Sequence, residues 1–135
     1  MTVNEFVVRK YTELVEDAGL TIYTAGAVPP NQTFPYVVIT EVQVSQRLVT
    51  PYKQWVVFGT LEVVTGGKSP VGWLESLQLS EQVDQAINDG TQHKSNGYIM
   101  HSTYQQNSLT LPEEGDFGYV YRNIISYIHQ VSIVT

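Results

Sequence analysis

The sequence of 135 residues contains no cysteine, which excludes a disulfide framework and a thiolate metal site. Only 15% of the residues are charged, and the seven Lys and Arg are scattered along a chain whose formal net charge is −6. The basic patch that binding to nucleic-acid phosphates requires is therefore missing. No apolar run approaches the roughly 20 residues of a membrane helix, and the first residues do not resemble a signal peptide. We expect a protein that is cytoplasmic when made and has no membrane partner.

Hydrophobic residues make up 42% of the chain, which predicts a single domain over residues 1–135 with a core that needs no covalent staples. The low charge leaves much of the surface to Thr, Ser, Gln, Asn and Tyr. Tyrosine, present nine times, combines a large apolar ring with a polar tip and is enriched at protein interfaces. Composition therefore favours a protein that contacts other proteins.

Two segments show the three-and-four spacing of apolar residues that is typical of amphipathic helices. The first is predicted over residues 3–18, capped by Thr2 or Asn4 and ended by Gly19. Its apolar stripe contains Val3, Phe6, Val7, Lys10, Tyr11, Leu14, Val15 and Ala18. The second is predicted over residues 71–88, with Ser69 as N-cap and Pro70 at the first helical position. Its stripe contains Trp73, Leu74, Leu77, Val83, Ala86 and Ile87.

Four longer segments alternate at every second position, as β-strands do. They span residues 36–44, 55–64, 98–106 and 119–134, a short strand is predicted at 20–23, and long loops are predicted at 45–54 and 107–118. The order α-β-β-β-α-β-β predicts an α+β fold with a single antiparallel sheet of about four long strands and both helices packed on one face. Because nothing remains to cover the other face, this layout favours an oligomer.

The strand over residues 36–44 begins behind the rigid pair Phe34-Pro35. Strict alternation predicts that Val37 and Ile39 pack under a helix. The opposite face would then contain Tyr36, Val38, Thr40, Val42 and Val44. The second half of this strand is more polar, so we expect it to project towards solvent or a neighbouring subunit.

The run Gly66-Gly67-Lys68-Ser69 is similar to the end of a phosphate-binding loop. Such a loop needs a leading glycine where this chain has Glu62, and Pro70 removes one of the backbone donors. We therefore expect a capped turn at this position rather than a nucleotide site.

The remaining polar residues do not form a recognisable reactive site. The histidines lack the spacing of a zinc site, although His101 and His129 could meet on adjacent strands. Three acids share one predicted loop without the spacing of a calcium loop or the rigid scaffold of a glycosidase. They are Glu113, Glu114 and Asp116. We expect no catalytic residue, no cofactor and no metal.

The stretch Phe-Pro-Tyr-Val-Val-Ile at residues 34–39, together with the order of elements around it, resembles the tail terminator (tail completion) proteins of long-tailed bacteriophages. The likeness covers nearly the full chain, from the first helix and its Gly19 to the long final strand. It implies a non-enzymatic ring, commonly of six subunits, that caps the tail tube protein and contacts the head-tail connector protein. DNA would pass through the lumen without specific binding. The resemblance also implies a location at the head-proximal end of the virion tail, after assembly in the host cytoplasm.

Two alternatives stay open. One is a head-completion or connector (stopper) ring protein, and the other is a small ligand-binding or enzymatic α+β domain with a pocket between helix and sheet. For a ring, we expect the basic loop residues to meet acidic groups of a neighbouring subunit or the connector, and the acidic loop residues to face another ring or the lumen. The expected interface residues are Arg47, Tyr52, Lys53, Glu113, Glu114 and Asp116.

Overall fold

In a computed structural model, the protein is described over residues 2–48, 54–67, 73–89, 92–115 and 118–133. Its helices are α1 (Val3–Asp17) and α2 (Trp73–Ile87). Its strands are β1 (Ile22–Thr24), β2 (Tyr36–Leu48), β3 (Gln54–Gly67), β4 (His93–Ser95), β5 (Tyr98–Gly115) and β6 (Gly118–Ile133). Along the chain they follow in the order α1-β1-β2-β3-α2-β4-β5-β6.

The strands form one sheet in the spatial order β1-β2-β3-β6-β5-β4. β1 pairs with β2 in parallel, and every other neighbouring pair is antiparallel. The α+β class, the packing of both helices on one face and the central place of β3 are confirmed. The prediction of one antiparallel sheet of about four strands is too narrow, because β1 and β4 extend its edges and β1 makes it mixed. The short strand predicted at 20–23 corresponds to β1, whereas no strand was predicted at the position of β4.

The first helix forms as its sequence predicts. The Thr2 side chain accepts a hydrogen bond of 3.2 Å from the Glu5 amide at the N-terminus, and Gly19 leaves the helix with φ of 86°. The apolar stripe faces the sheet, and its buried residues are Val3, Phe6, Val7, Lys10, Tyr11 and Val15. α1 therefore covers β2 and the centre of the sheet.

Strand β2 changes phase halfway along its length. Val37 and Ile39 lie in the core under α1, as predicted. A register shift between Ile39 and Glu41 then inserts one extra residue, so that Val42 and Val44 also pack against the core. The prediction that those two valines lie on the opposite face is wrong, because a β-bulge moves every later side chain to the other side of the strand.

The second helix is rotated relative to its apolar stripe. Val83 and Ile87 are buried as predicted, but Leu74 and Leu77 are 52% and 41% exposed. Ser76 and Ser80 face the sheet instead. The Ser80 hydroxyl donates to the Ser76 carbonyl at 2.7 Å and accepts a hydrogen bond from the buried Asn123 amide. A polar contact to β6 thus fixes a helix orientation that hydrophobicity alone does not predict.

Within the described residues, the two predicted long loops are strand over residues 45–48 and 54 and over residues 107–115 and 118. β2 continues to Leu48 and β3 starts at Gln54, while β5 continues to Gly115 and pairs with β6 from Gly118 onward. Register shifts between Met100 and Ser102 and between Gln105 and Asn107 let β5 stay paired through a polar sequence that does not alternate cleanly. The structure therefore has long hairpins where the sequence suggests loops at 45–54 and 107–118.

The turn between β4 and β5 uses Asn96-Gly97, with φ of 51° and 84°. These positive values at both central residues are typical of a tight two-residue hairpin turn, for which Asn-Gly is the strongest sequence signal. The Asn-Gly pair therefore indicates a hairpin and a strand before residue 96, where no strand was predicted.

Tyr11 of α1 packs directly on the backbone of Gly59 in β3. A Cβ atom added at Gly59 would lie 1.9 Å from the Tyr11 hydroxyl oxygen and 2.7 Å from the ring carbon that bears it. Tyr11 is fully buried and its hydroxyl is hydrogen bonded to His129, so the ring has little freedom to move aside. Gly59 is therefore required by the depth to which α1 sinks into the sheet.

We expect Gly59→Ala to lower the free energy of unfolding by about 2 to 3 kcal/mol, because the new methyl group overpacks a filled core. Chemical denaturation followed by circular dichroism measures the effect. Thr60→Ala, on the next residue and the opposite face, is the matched control and should cost less than about 1 kcal/mol. Equal stability of Gly59→Ala and the parent protein would contradict the described seat of Tyr11.

Candidate functional site

A cluster of titratable side chains lies inside the core between the helices and β6. Tyr11 on α1 forms a hydrogen bond with Nε2 of His129, and the Tyr127 hydroxyl donates to a carboxylate oxygen of Asp84 on α2 at 2.8 Å. The Tyr127 ring stacks on the His129 ring with centroids 5.7 Å apart. All three ring side chains are fully shielded from solvent. The arrangement ties both helices to β6.

Burial controls the protonation of this cluster. It raises the pKa of both tyrosine hydroxyls far above their usual range, with the nearby Asp84 carboxylate adding to the effect on Tyr127. Burial, with a smaller contribution from the charge of His93, lowers the pKa of His129 to about 4. At neutral pH the phenols are therefore protonated and the His129 imidazole is neutral. Both tyrosines and the histidine act as hydrogen-bonding groups of a closed core.

The strand register does not place His101 opposite His129. The register pairs His129 with Thr103 rather than with His101. His93 donates from Nε2 to the Ile87 carbonyl at 2.9 Å and lies 3.7 Å from the Asp89 carboxylate, which links β4 to the end of α2. Across the part of the chain that the structure describes, no group of three His, Cys, Asp or Glu side chains is placed to hold a metal ion. Nor does either described helix have the length and hydropathy needed to cross a membrane.

The opposite side of the sheet, which we call the helix-free face, has no helix of the described chain packed on it. Pairing registers place on it Tyr36, Val38, Glu41 and Gln43 of β2, the even-numbered residues 56–66 of β3 and the even-numbered residues 120–130 of β6. Val56, Phe58, Ile124 and Ile128 are half-buried there. A groove of about 380 Å³ on this face is lined by Glu41, Gln43, Phe58, Thr60, Ser126 and Tyr127. The helix-free face is thus a mixed apolar and polar surface.

The Phe34-Pro35-Tyr36 segment closes one end of this face. Its Phe34-Pro35 peptide bond is cis, and the Phe34 ring stacks on Tyr36 with centroids 5.8 Å apart. A Cβ atom added at Gly66 would lie 2.5 Å from the Phe34 ring, so that ring rests directly on the backbone of β3. Gly66 and Gly67 are paired residues of β3 and not part of a phosphate-binding turn. Lys68, Ser69 and Pro70 lie outside the described residues.

A charged cluster marks the end of the helix-free face near the β5–β6 turn. Arg122 on β6 contacts Glu62 on β3 at 3.0 Å and Glu113 on β5 at 3.3 Å. Partial burial acts to lower the pKa of Arg122, but hydrogen bonds to the two carboxylates outweigh it and raise that pKa. With two carboxylates around one guanidinium, the cluster keeps a net negative charge.

The structure places the six predicted interface residues as follows. Glu113 and Glu114 are exposed near the end of β5, and Glu113 joins the Arg122 cluster. Arg47 belongs to β2, where its backbone pairs with Trp55, and its side chain lies outside what the structure describes. Tyr52, Lys53 and Asp116 also lie outside the described residues. Their role at an interface remains a prediction. Sequence reasoning missed Glu62 and Arg122, which only the strand register brings next to Glu113.

The low pKa of His129 gives a testable pH dependence. The imidazole is neutral in both states above pH 6.5, but below this value the unfolded chain binds a proton that the folded core excludes. Stability present above pH 6.5 is therefore lost as the pH falls towards 4, by about 3 kcal/mol in total. Between pH 7 and pH 4, urea unfolding should show a loss of unfolding free energy about 3 kcal/mol larger for the parent protein than for His129→Gln. The variant keeps every carboxylate, so the titration of these groups is the same in both proteins. Parallel curves for the two proteins would contradict a neutral, buried His129.

Comparisons with known proteins identify the fold. No protein-family model matches the chain, and no curated protein matches it. Among solved structures, the chain is similar to a chain of the virion of a native gene transfer agent particle. The two share 14% sequence identity with a TM-score of 0.57, and the match covers 93% of this chain and 91% of that chain. The chain therefore shares its fold with a chain of that particle.

Proposed function

We propose that this chain is a structural virion protein, and that it is the tail terminator that forms a ring on the end of a phage tail tube. The observation that carries the proposal is the likeness in fold to a chain of a virion particle over nearly the whole length of both chains. The resemblance of residues 34–39 and their surroundings to tail terminators supports the finer assignment.

The one-sided sheet supports a role in assembly. Helices cover one face, while half-buried Val56, Phe58, Ile124 and Ile128 remain on the helix-free face of the described chain. Apolar surface of this kind is a common mark of sites that contact other proteins. This architecture suits a subunit whose helix-free face becomes buried when it assembles with other proteins.

The positions of the two long hairpins support contacts with one partner at each end of the sheet. On β6, Gly118 pairs with Gly115 at the end of β5, whereas Ser132 pairs with Gln54 at the start of β3. The strand ends that flank 49–53 and those that flank 116–117 therefore lie at opposite ends of the sheet. One end would contact the tail tube protein and the other the head-side connector, with Arg47, Tyr52 and Lys53 on one and Glu113, Glu114 and Asp116 on the other.

Charge and core chemistry support a passive role. The formal net charge of −6 and the acidic balance around Arg122 suit a ring whose lumen must let DNA slide without binding it. The buried Tyr11, Tyr127 and His129 serve the core rather than a substrate. We therefore propose a non-enzymatic protein without a cofactor, commonly six copies to a ring.

Deletion of the gene for this chain from the phage or prophage that encodes it tests the proposal. A tube whose growth is not capped should reach abnormal lengths and should fail to join heads, which electron microscopy of lysates would show. Expression of the chain in trans should restore joined particles of normal tail length. Tails of normal length beside unjoined heads would instead favour a connector ring, and unchanged particles would contradict both structural roles.

A further inference from the structure

Strand β2 has an open edge beyond the short strand that covers its start. β1 pairs with residues 37–39, and in the described chain no strand pairs with the same side of residues 41–48, which we call the β2 edge. The Asn4 side chain donates to the Val42 carbonyl at 3.1 Å, which shows that the Val42 backbone points off the sheet. Because this direction alternates along an antiparallel pair, the Val44 backbone also points outward. Apart from the Val42 carbonyl, which Asn4 already occupies, the β2 edge therefore directs backbone donors and acceptors towards another strand.

Strand β5 has a second open edge on the far side of the sheet. β4 covers residues 98–100, and within the described residues nothing pairs with the outer side of β5 after Met100. Pro112, Glu113 and Glu114 blunt the final part, since proline lacks a donor and charged residues disfavour pairing. Residues 101–111, which we call the β5 edge, are comparable in length to the β2 edge. The β2 edge contains neither proline nor lysine.

The directions of the two edges suit each other. β2 is antiparallel to β3, β3 to β6 and β6 to β5, so β5 runs opposite to β2. Two copies placed side by side in the same orientation would therefore bring the β2 edge of one against the β5 edge of the next in antiparallel fashion. Such a head-to-tail joint repeats from copy to copy and closes into a ring when the rotation allows it.

Exposed apolar side chains lie close to both edges, where a neighbouring copy would bury them. Leu74 and Leu77 on α2 are exposed, and Leu77 borders a crevice of about 200 Å³ that reaches Gln105 on β5. On the helix side of the β2 edge, Val42 and Val44 are only half-buried. A β2 edge docked beside β5 would bring these valines under the same side of the sheet as α2 and remove apolar surface of both copies from water.

We propose that the β2 edge of one copy pairs with the β5 edge of the next copy, so that the ring is held by a continuous sheet. The proposal rests on the proposed ring function and names the surfaces that build it. A second copy is the occupant because the two unpaired edges belong to one chain, run in compatible directions and bring matching apolar groups.

Cross-linking of the full chain tests this joint, and the absence of native cysteine makes the design simple. A variant with Val42→Cys and Gln105→Cys, which the strand registers place at one level on the helix side of the sheet, is treated with a flexible bis-maleimide in purified particles and in concentrated purified protein. We expect a ladder of covalent dimers, trimers and larger species, because each copy presents one thiol to each neighbour. Either single variant should give no dimer. The pair Gln82→Cys and Gln105→Cys, with one thiol on the exposed side of α2, is the matched control and should give no ladder.

The outcomes separate the joint from the function. Particles that contain the protein but give no ladder, or dimers from a single variant, would overturn the edge pairing and leave the virion role intact. Protein that is absent from particles would contradict the virion role, while the ladder in purified protein still tests the joint. The absence of a ladder both in particles and in purified protein would contradict the proposed pairing of the two edges.

A backbone variant provides a second test of the same joint. Val44→Pro removes an outward-pointing N–H group without breaking the pairing of β2 with β3. Added to the double-cysteine protein, it should retain a cooperative thermal transition and reduce the ladder by at least about tenfold, a loss expected when a central interface bond is removed. A folded Val44→Pro protein with an undiminished ladder would overturn the proposal. If the variant does not fold, the cysteine pairs decide by themselves.

Discussion

The seat of Tyr11 on Gly59 is the contact on which the rest of the structure depends. It allows α1 to sink into the middle of the sheet, where the Tyr11 hydroxyl reaches His129 on β6 across β3. On the side of α2, the Tyr127 hydroxyl makes a similar link by donating a hydrogen bond to Asp84. Two short polar links inside an apolar core thus fix the position of both helices, and the cost of burying these groups is met by hydrogen bonding them to each other.

Because both helices are fixed on one face, the remainder of the sheet is left open. The helix-free face keeps its apolar residues half-exposed, and the long strands β2 and β5 outgrow the short strands that flank them. Isolated proteins usually avoid such edges, since unpaired strands invite association with other chains. In the proposed ring, these edges would join neighbouring copies.

Much of the helix side of this fold follows from sequence periodicity. The stripe of α1, the alternation of β6 and the burial of Val37 and Ile39 were all readable, because each is a regular pattern over many residues. The bulge after Ile39 was not readable, since one inserted residue leaves no mark except a change of phase that also looks like a polar end of a strand. The rotation of α2 depends on the pairing of Ser80 with Asn123, residues whose contact requires the complete fold.

The candidate surfaces were predicted only in part. An uncovered sheet face followed from counting elements, and Glu113 and Glu114 are exposed, although they belong to β5 and not to the predicted loop. Their neighbours Glu62 and Arg122 did not follow, because strand register decides which residues of distant segments become adjacent. The open edges likewise depend on how far β1 and β4 extend along β2 and β5, which the pairing of the strands decides.

The central claim is that this chain completes its packing as one of several copies in a ring at the end of a tail. Electron cryomicroscopy of particles from the genome that encodes the chain measures this most directly. The account predicts density for a closed ring of this fold between the tail tube and the head-side connector, with neighbouring copies joined through their sheets. Intact tailed particles in which this position is occupied by another protein, and in which this chain is absent, would contradict it.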